Sequence, residues 1–229
     1  MANFERERYR AVLFDLDGTL IDTAPDMVRA LQSIQSSRGC DPIDYPTGRS
    51  QVSNGAIGLL RTAFPDLAIN FGDDLHKEFL DIYEADVASE SGLFSGLDKL
   101  LDRLEAAAVP WGIVTNKPEF LTAKLLTALN LDHRSAATVC GDTLPVRKPD
   151  PAPLLHATTI AGIDPTQTIY VGDALRDIEA GKNAGMGTVA AAYGYIAAGD
   201  DATSWDADTV ALDTTELTQI ILKAVNLAA

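Results

Sequence analysis

Ala11-Val12-Leu13-Phe14-Asp15-Leu16-Asp17-Gly18-Thr19-Leu20 is the stretch on which the fold turns. Four apolar residues in a row, halted by an acid, predict a short strand buried on both faces. Two carboxylates one residue apart at the end of such a strand are costly to bring together without a cation. Gly18 lets the chain turn sharply after them. An exposed Asp-Gly turn is the plain alternative, but it does not account for the apolar strand in front or the Asp-x-Asp-Gly-Thr context.

Further apolar runs follow outward from this segment, at 112–115, 137–140, 168–172 and 188–193, with a weaker one at 209–212. Helical patterns lie between them. Leu97, Leu100, Leu101 and Leu104 share one spacing, and Leu121, Leu125, Leu126 and Leu129 another. The pattern at 174–184 stops at Gly185, a good helix terminator. Strands alternating with helices predict an α/β chain, a Rossmann-like parallel sheet covered by helices on both faces. Residues 22–92 break the alternation. They hold three helical patterns, at 24–37, 53–64 and 73–90, a loop at 39–49, and no convincing buried strand. The predicted division is therefore a core of 1–21 and 93–229 with a helical insertion of 22–92. Placed directly after the first strand, the insertion hangs over that strand's C-terminal end, where open α/β sheets bind ligands.

Composition narrows the possible partners. The chain has 229 residues, 46% of them hydrophobic, with no apolar run long enough to span a bilayer. The opening MANFERERYR lacks the apolar stretch of a signal peptide, so a soluble, cytoplasmic protein is expected. Cys40 and Cys140 show no metal-ligand spacing, and neither do His76, His133 and His156. The formal net charge of −15 argues against a nucleic-acid partner, because backbone binding needs a basic surface. It also means that a phosphate ligand requires local positive charge, from a metal, a lysine or helix N-termini.

Three further motifs carry chemistry. Tyr170-Val171-Gly172-Asp173, followed by Asp177, is another apolar strand ending in an acid. Alone it reads as a capped helix start. Beside Asp15 and Asp17 it reads as a magnesium site, since magnesium takes hard oxygen ligands and few carboxylates. Val114-Thr115-Asn116-Lys117 offers a hydroxyl and an amide to phosphoryl oxygens, although an ordinary strand-to-helix turn has the same look. Arg147-Lys148-Pro149-Asp150-Pro151 holds Lys148 before a rigid segment, as a fixed cation or as a solvated loop lysine. In the insertion, Ser53-Asn54-Gly55-Ala56 opens a helix whose free N–H groups suit an anionic tail, and Arg49 or Arg61 could serve the same end.

Together these motifs resemble the haloacid dehalogenase superfamily across nearly the whole chain. Asp15-x-Asp17-Gly18-Thr19 resembles its first motif, Thr115-Asn116 its second, Lys148 its third, and Gly172-Asp173 with Asp177 its fourth. The insertion looks like the superfamily's helical cap. Residues 14–24, 111–118, 141–153 and 172–185 are similar to phosphoglycolate phosphatases. The same segments, with Leu93-Phe94-x-Gly96, Tyr193-Gly194-Tyr195-Ile196 and Trp205-x-Ala207-Asp208, are similar to N-acetylmuramic acid 6-phosphate phosphatases.

The resemblance implies magnesium-dependent hydrolysis of a small phosphomonoester through a phospho-aspartate. Asp15 is then the nucleophile, Asp17 the general acid and base, and Lys148 the cation that neutralises their charge. Thr115, Asn116 and Gly18 are implied to bind the phosphoryl group. The metal is implied to take a carboxylate oxygen of Asp15, the backbone carbonyl of Asp17 and Asp173, with Asp177 as a ligand or a partner behind them. Arg49, Ser53, Asn54 and Gly55 are the candidate substrate contacts of the cap. A phosphomutase shares this core. A dehalogenase is disfavoured by the second acid of the first motif, and a regulator without activity by the intact set Asp15, Asp17, Lys148 and Asp173.

Overall fold

The computed structural model describes residues 9–227, so most of the segment read for a leader lies outside the described residues. The chain runs β1 (Ala11–Phe14), β2 (Ile21–Asp22), α1 (Ala24–Ser37), α2 (Tyr45–Arg49), α3 (Gly55–Ala63), α4 (Asp74–Ala85), β3 (Gly92–Leu93), α5 (Leu97–Ala106) and β4 (Trp111–Val114). It continues through α6 (Glu119–Ala128), β5 (Thr138–Val139), α7 (Ala152–Ala161), β6 (Thr168–Gly172), α8 (Leu175–Asn183), β7 (Gly187–Ala191), β8 (Thr209–Ala211) and α9 (Thr214–Ala224).

The apolar runs form strands because both of their faces are covered. Val12 and Phe14 of β1 enter one buried cluster, and Leu13 between them enters another. Ile169 and Val171 of β6 divide from Tyr170 in the same way, as period-two alternation requires. The first cluster is closed by leucines of α5 and α6 and by Leu217, Ile221 and Leu222 of α9; the second by Leu154 and Ala157 of α7 and Ala180 of α8. The six-stranded sheet has the order β5-β4-β1-β6-β7-β8, with every pair parallel. β1 therefore sits between β4 and β6, where successive connections leave in opposite directions, and a crevice opens at the strands' C-terminal ends.

The helical segment is inserted through a small two-stranded ribbon of its own. β2 and β3 pair antiparallel, Ile21 opposite Leu93 and Asp22 opposite Gly92, so the chain enters and leaves the insertion side by side. Helices α1 to α4 lie between them.

Some boundaries differ from the sequence reading. The loop expected at 39–49 contains α2, which the Asp44 side chain caps by accepting the Thr47 N–H at 2.9 Å and which carries proline in its first turn. The helix expected at 73–90 ends at Ala85. Beyond it Asp26 of α1 accepts the N–H groups of Glu90 and Ser91, while Arg29 pairs with Asp86 and Glu90. These bonds hold the chain outside a helical path. α7 and α9 have no counterpart among the expected helical patterns. Among the described residues, no helix is long and apolar enough to cross a membrane.

Candidate active site

The three central strands deliver their following residues to one place. Asp15 follows β1, Thr115 follows β4 and Asp173 follows β6. Asp15 is held by its own N–H, which donates to Val171 O at 2.8 Å. Asp177 stands in the first turn of α8, where one carboxylate oxygen accepts the Ala174 N–H at 3.0 Å. Carboxylate oxygens of Asp15, Asp173 and Asp177 all lie within 4.8 Å of one another, and all three residues are buried.

Lys148 is the cation within this group. Its ammonium lies 2.8 Å from Asp15 Oδ1 and 2.8 Å from Asp177 Oδ1, and donates to Val114 O and Tyr170 OH, each at 2.9 Å. Asn116 fixes the main chain beneath it. Its amide donates to Lys148 O and accepts the Lys148 N–H, both at 3.1 Å, so both ends of that side chain are engaged. The Thr115 hydroxyl oxygen accepts the Lys117 N–H at 3.1 Å and keeps its own proton to donate.

One cation does not neutralise three acids. Burial, opposed by Lys148, lifts the Asp15 carboxyl to about 6. Burial, then the charges of Asp15 and Asp177, lifts Asp173 to about 7. Burial works against the Lys148 ammonium, but Asp15 and Asp177 outweigh it and hold it above its ordinary value. Asp173 Oδ2 accepts from Tyr195 N at 2.8 Å and from Ser53 Oγ at 2.7 Å, yet its Oδ1 has no hydrogen-bond partner. Asp177 Oδ1 likewise receives no aligned hydrogen bond, despite the nearby ammonium. A buried carboxylate oxygen left without a donor, Asp173 Oδ1, in a cluster where three acids share one ammonium, fits a hard divalent cation with oxygen ligands.

The carboxylate of Asp17 lies outside that cluster. Its Oδ1 accepts from Thr23 Oγ1 at 2.6 Å and from Lys117 Nζ at 2.9 Å. Lys117 also donates to Tyr83 OH at 3.0 Å and stands over the Tyr83 ring. Neither Lys117 nor Tyr83 is among the residues to which the sequence motifs assign a task. A lysine directly after Thr115-Asn116 was the available signal. Tyr83, on α4 of the insertion, is brought in only by the tertiary fold.

Gly18 adopts a positive φ of 83°, and a Cβ there would lie 2.1 Å from Asp173 Oδ2. Only glycine lets the first loop pass so close to Asp173. Asp15, Asp17, Thr115, Asn116, Lys117 and Lys148 line a cavity of about 310 Å³ between the sheet and the insertion. Ser53, Asn54 and Gly55 line it from above, and Arg147 and Arg176 add positive charge. Gly18, Arg49 and Arg61 do not line it. Arg49 donates to Gly194 O and Tyr193 O and lies over the Tyr195 ring; Arg61 donates to Ile69 O. α3 begins at Gly55, and its N-cap Asn54 makes no side-chain capping bond.

Comparison with known proteins agrees with this geometry. The sequence model of the haloacid dehalogenase-like hydrolases matches residues 12–191. A phosphoglycolate phosphatase of Xanthomonas campestris pv. campestris is 47% identical over 201 residues, 88% of this chain and 91% of that one. An N-acetylmuramic acid 6-phosphate phosphatase of Pseudomonas putida is 42% identical over 219 residues, 95% of this chain and 98% of that one. The crystal structure of a predicted phosphoglycolate phosphatase from Haemophilus somnus 129pt superposes with a TM-score of 0.81 at 26% identity, covering 93% of this chain and 98% of that one.

Proposed function

This chain belongs to the haloacid dehalogenase-like hydrolase family, and from that membership and the geometry of its site we propose that it hydrolyses a small phosphomonoester through a phospho-aspartate on Asp15, with magnesium. The observation that carries the proposal is the buried cluster of Asp15, Asp173 and Asp177 around the single cation Lys148, with Asp173 Oδ1 lacking any donor. Magnesium, when bound by Asp15, the Asp17 carbonyl, Asp173 and, directly or through a partner, Asp177, supplies positive charge that offsets repulsion between nucleophile and phosphate.

The chain's own residues do the rest. Phosphoryl transfer has a loose, highly charged transition state, so catalysis is chiefly positioning and electrostatics. Asp15 attacks phosphorus and the ester oxygen leaves. Lys148 holds one Asp15 oxygen and so aims the other. The Thr115 hydroxyl and the main-chain N–H of Asn116 donate to non-bridging oxygens, since the Asn116 amide is engaged with Lys148. Asp17 gives a proton to the leaving oxygen, then takes one from the water that attacks the phospho-aspartate. Lys117 and Thr23 hold the Asp17 carboxylate in place. Residues 22–92 act as the cap that closes over the substrate and selects it, with Ser53 linking that cap to Asp173.

Phosphoglycolate, for which the relatives up to 47% identical are named, is the first substrate to test. The cavity also suits a second, N-acetylmuramic acid 6-phosphate, because its volume of about 310 Å³ and its apolar lining by Ile57, Phe71 and Leu80 offer more than a two-carbon acid can fill. The test is phosphate release from both esters, with magnesium and with chelator, by the wild type and by Asp15→Asn. Release that needs magnesium and Asp15 is expected. Release persisting in Asp15→Asn above about a tenth of wild type rules out the nucleophile, whose loss should cost on the order of 10⁴.

A further inference from the structure

The cavity wall contributed by α4 is one face of a helix. His76, Phe79, Leu80 and Tyr83 line the cavity, and their spacing of three, four and seven places them in a row. The row has a reacting end and a far end. Tyr83 marks the first, because its hydroxyl receives Lys117, which holds Asp17. His76 lies seven residues away, or about 10 Å along the helix. A two-carbon acid spans only roughly 3–4 Å from ester oxygen to carboxylate, so it leaves the far end untouched.

The far end is equipped for recognition. His76 is 4% exposed, and its Nδ1 accepts the Gly72 N–H at 3.2 Å. With Nδ1 an acceptor, the neutral ring carries its proton on Nε2, a donor. Burial, opposed by Asp73, holds this imidazole below its ordinary pKa, which favours the neutral form. The Phe71 ring lies 4.9 Å from the His76 ring and also lines the cavity, although it is 75% exposed. An aromatic left that open beside a pocket offers a flat apolar face to a ligand.

Resting on the phosphatase reading above, we infer that His76 and Phe71 form a distal subsite that selects phosphomonoesters with a hexose-sized leaving group, whose far side presents an apolar ring face to Phe71 and an acceptor oxygen to His76 Nε2–H. The nearer wall, Leu80 of α4 with Ile57 of α3, backed by the buried Phe79, is apolar and packs the body of such a group while giving little grip to a short, fully charged one. Specificity then comes from a donor left unpaired when a short ester binds.

The test is the ratio of kcat/KM for N-acetylmuramic acid 6-phosphate to kcat/KM for 2-phosphoglycolate, measured with magnesium. In the wild type the ratio should exceed one. His76→Asn retains an acceptor near Nδ1 but removes the distant donor, and should lower the ratio roughly tenfold, the effect of about 1.4 kcal/mol. The loss should appear in KM for the larger ester. His76→Gln, whose amide reaches the Nε2 position, should recover part of it. Phe71→Ala, at an exposed position, should also lower the ratio and reports on the subsite even if the His76 variants fold poorly. A ratio below one in the wild type, or one that none of these variants moves, overturns the subsite and leaves the phosphatase reading standing. Absence of phosphate release from any ester overturns both.

Discussion

Stripped of divalent cations, this protein should lose stability as pH rises from about 5 to about 8. Burial, opposed by Lys148 and reinforced by the charges of Asp177 and Asp17, raises Asp15 from 3.8 to about 6, and burial with the charges of Asp15 and Asp177 raises Asp173 from 3.8 to about 7. Groups whose folded pKa is raised bind their protons more tightly in the folded chain than in the unfolded one. Their contribution is fully present below the unfolded value and disappears as pH rises through the folded value. The rise of Asp15 alone corresponds to about 3 kcal/mol. The charge of Asp15 is itself one cause of the Asp173 rise, so the two effects do not simply add, and about 3 kcal/mol is the lower scale for the pair. In a chain of this length that moves the melting temperature by roughly 6–12 °C. His76 pulls the other way, because burial lowers its pKa and its contribution grows as pH rises. The comparison is therefore between wild type and Asp173→Asn, which keeps His76 and removes one acid. Thermal melts followed by circular dichroism, with chelator and with excess magnesium, read the effect. In chelator the wild-type melting temperature should fall across this range, and Asp173→Asn should flatten the fall by at least about half. Magnesium should flatten it too. A wild-type melting temperature that stays level or rises in chelator refutes the reasoning.

Asp17→Asn should slow leaving-group release from an alkyl phosphate far more than from p-nitrophenyl phosphate, whose leaving anion needs little protonation; equal losses in rapid-mix single turnovers would show that Asp17 is not the acid. Lys148→Met leaves Asp15 and Asp177 buried without their cation and should cost about 3–5 kcal/mol of stability in denaturant titration, together with at least about 10² in kcat. Calcium should support less than about a tenth of the magnesium rate, because its larger and more flexible shell misplaces the nucleophile; equal rates in a metal-replacement assay contradict the proposed metal role.

The parts legible in the sequence are those fixed by local pattern. β1, β4 and β6 are runs buried on both faces, and each ends at a residue of the cluster, so Asp15, Thr115 and Asp173 could be placed from the chain alone. Lys148 was legible only as a candidate, and the structure puts its ammonium between Asp15 and Asp177. What stayed hidden depends on contacts across long stretches of chain. Tyr83 meets Lys117 over 34 residues, and Asp26 holds Glu90 and Ser91 over 64 and 65, which ends α4 early. The tasks of Arg49 and Arg61 were equally illegible, because the carbonyls they hold have no sequence signature. Asn116 shows the same limit on a smaller scale: its type suggested a phosphate donor, and its surroundings direct the amide to the Lys148 main chain.

The central claim is a covalent phosphate on Asp15. In Asp17→Asn the water that clears the intermediate lacks its base, while p-nitrophenyl phosphate still forms the intermediate, so the phospho-enzyme should accumulate. Acid quench followed by borohydride reduction converts an aspartyl phosphate into homoserine, which peptide mass spectrometry locates. The account predicts homoserine at position 15, dependent on magnesium and absent without substrate. A burst of p-nitrophenol with Asp15 unchanged, or homoserine at another aspartate, contradicts it.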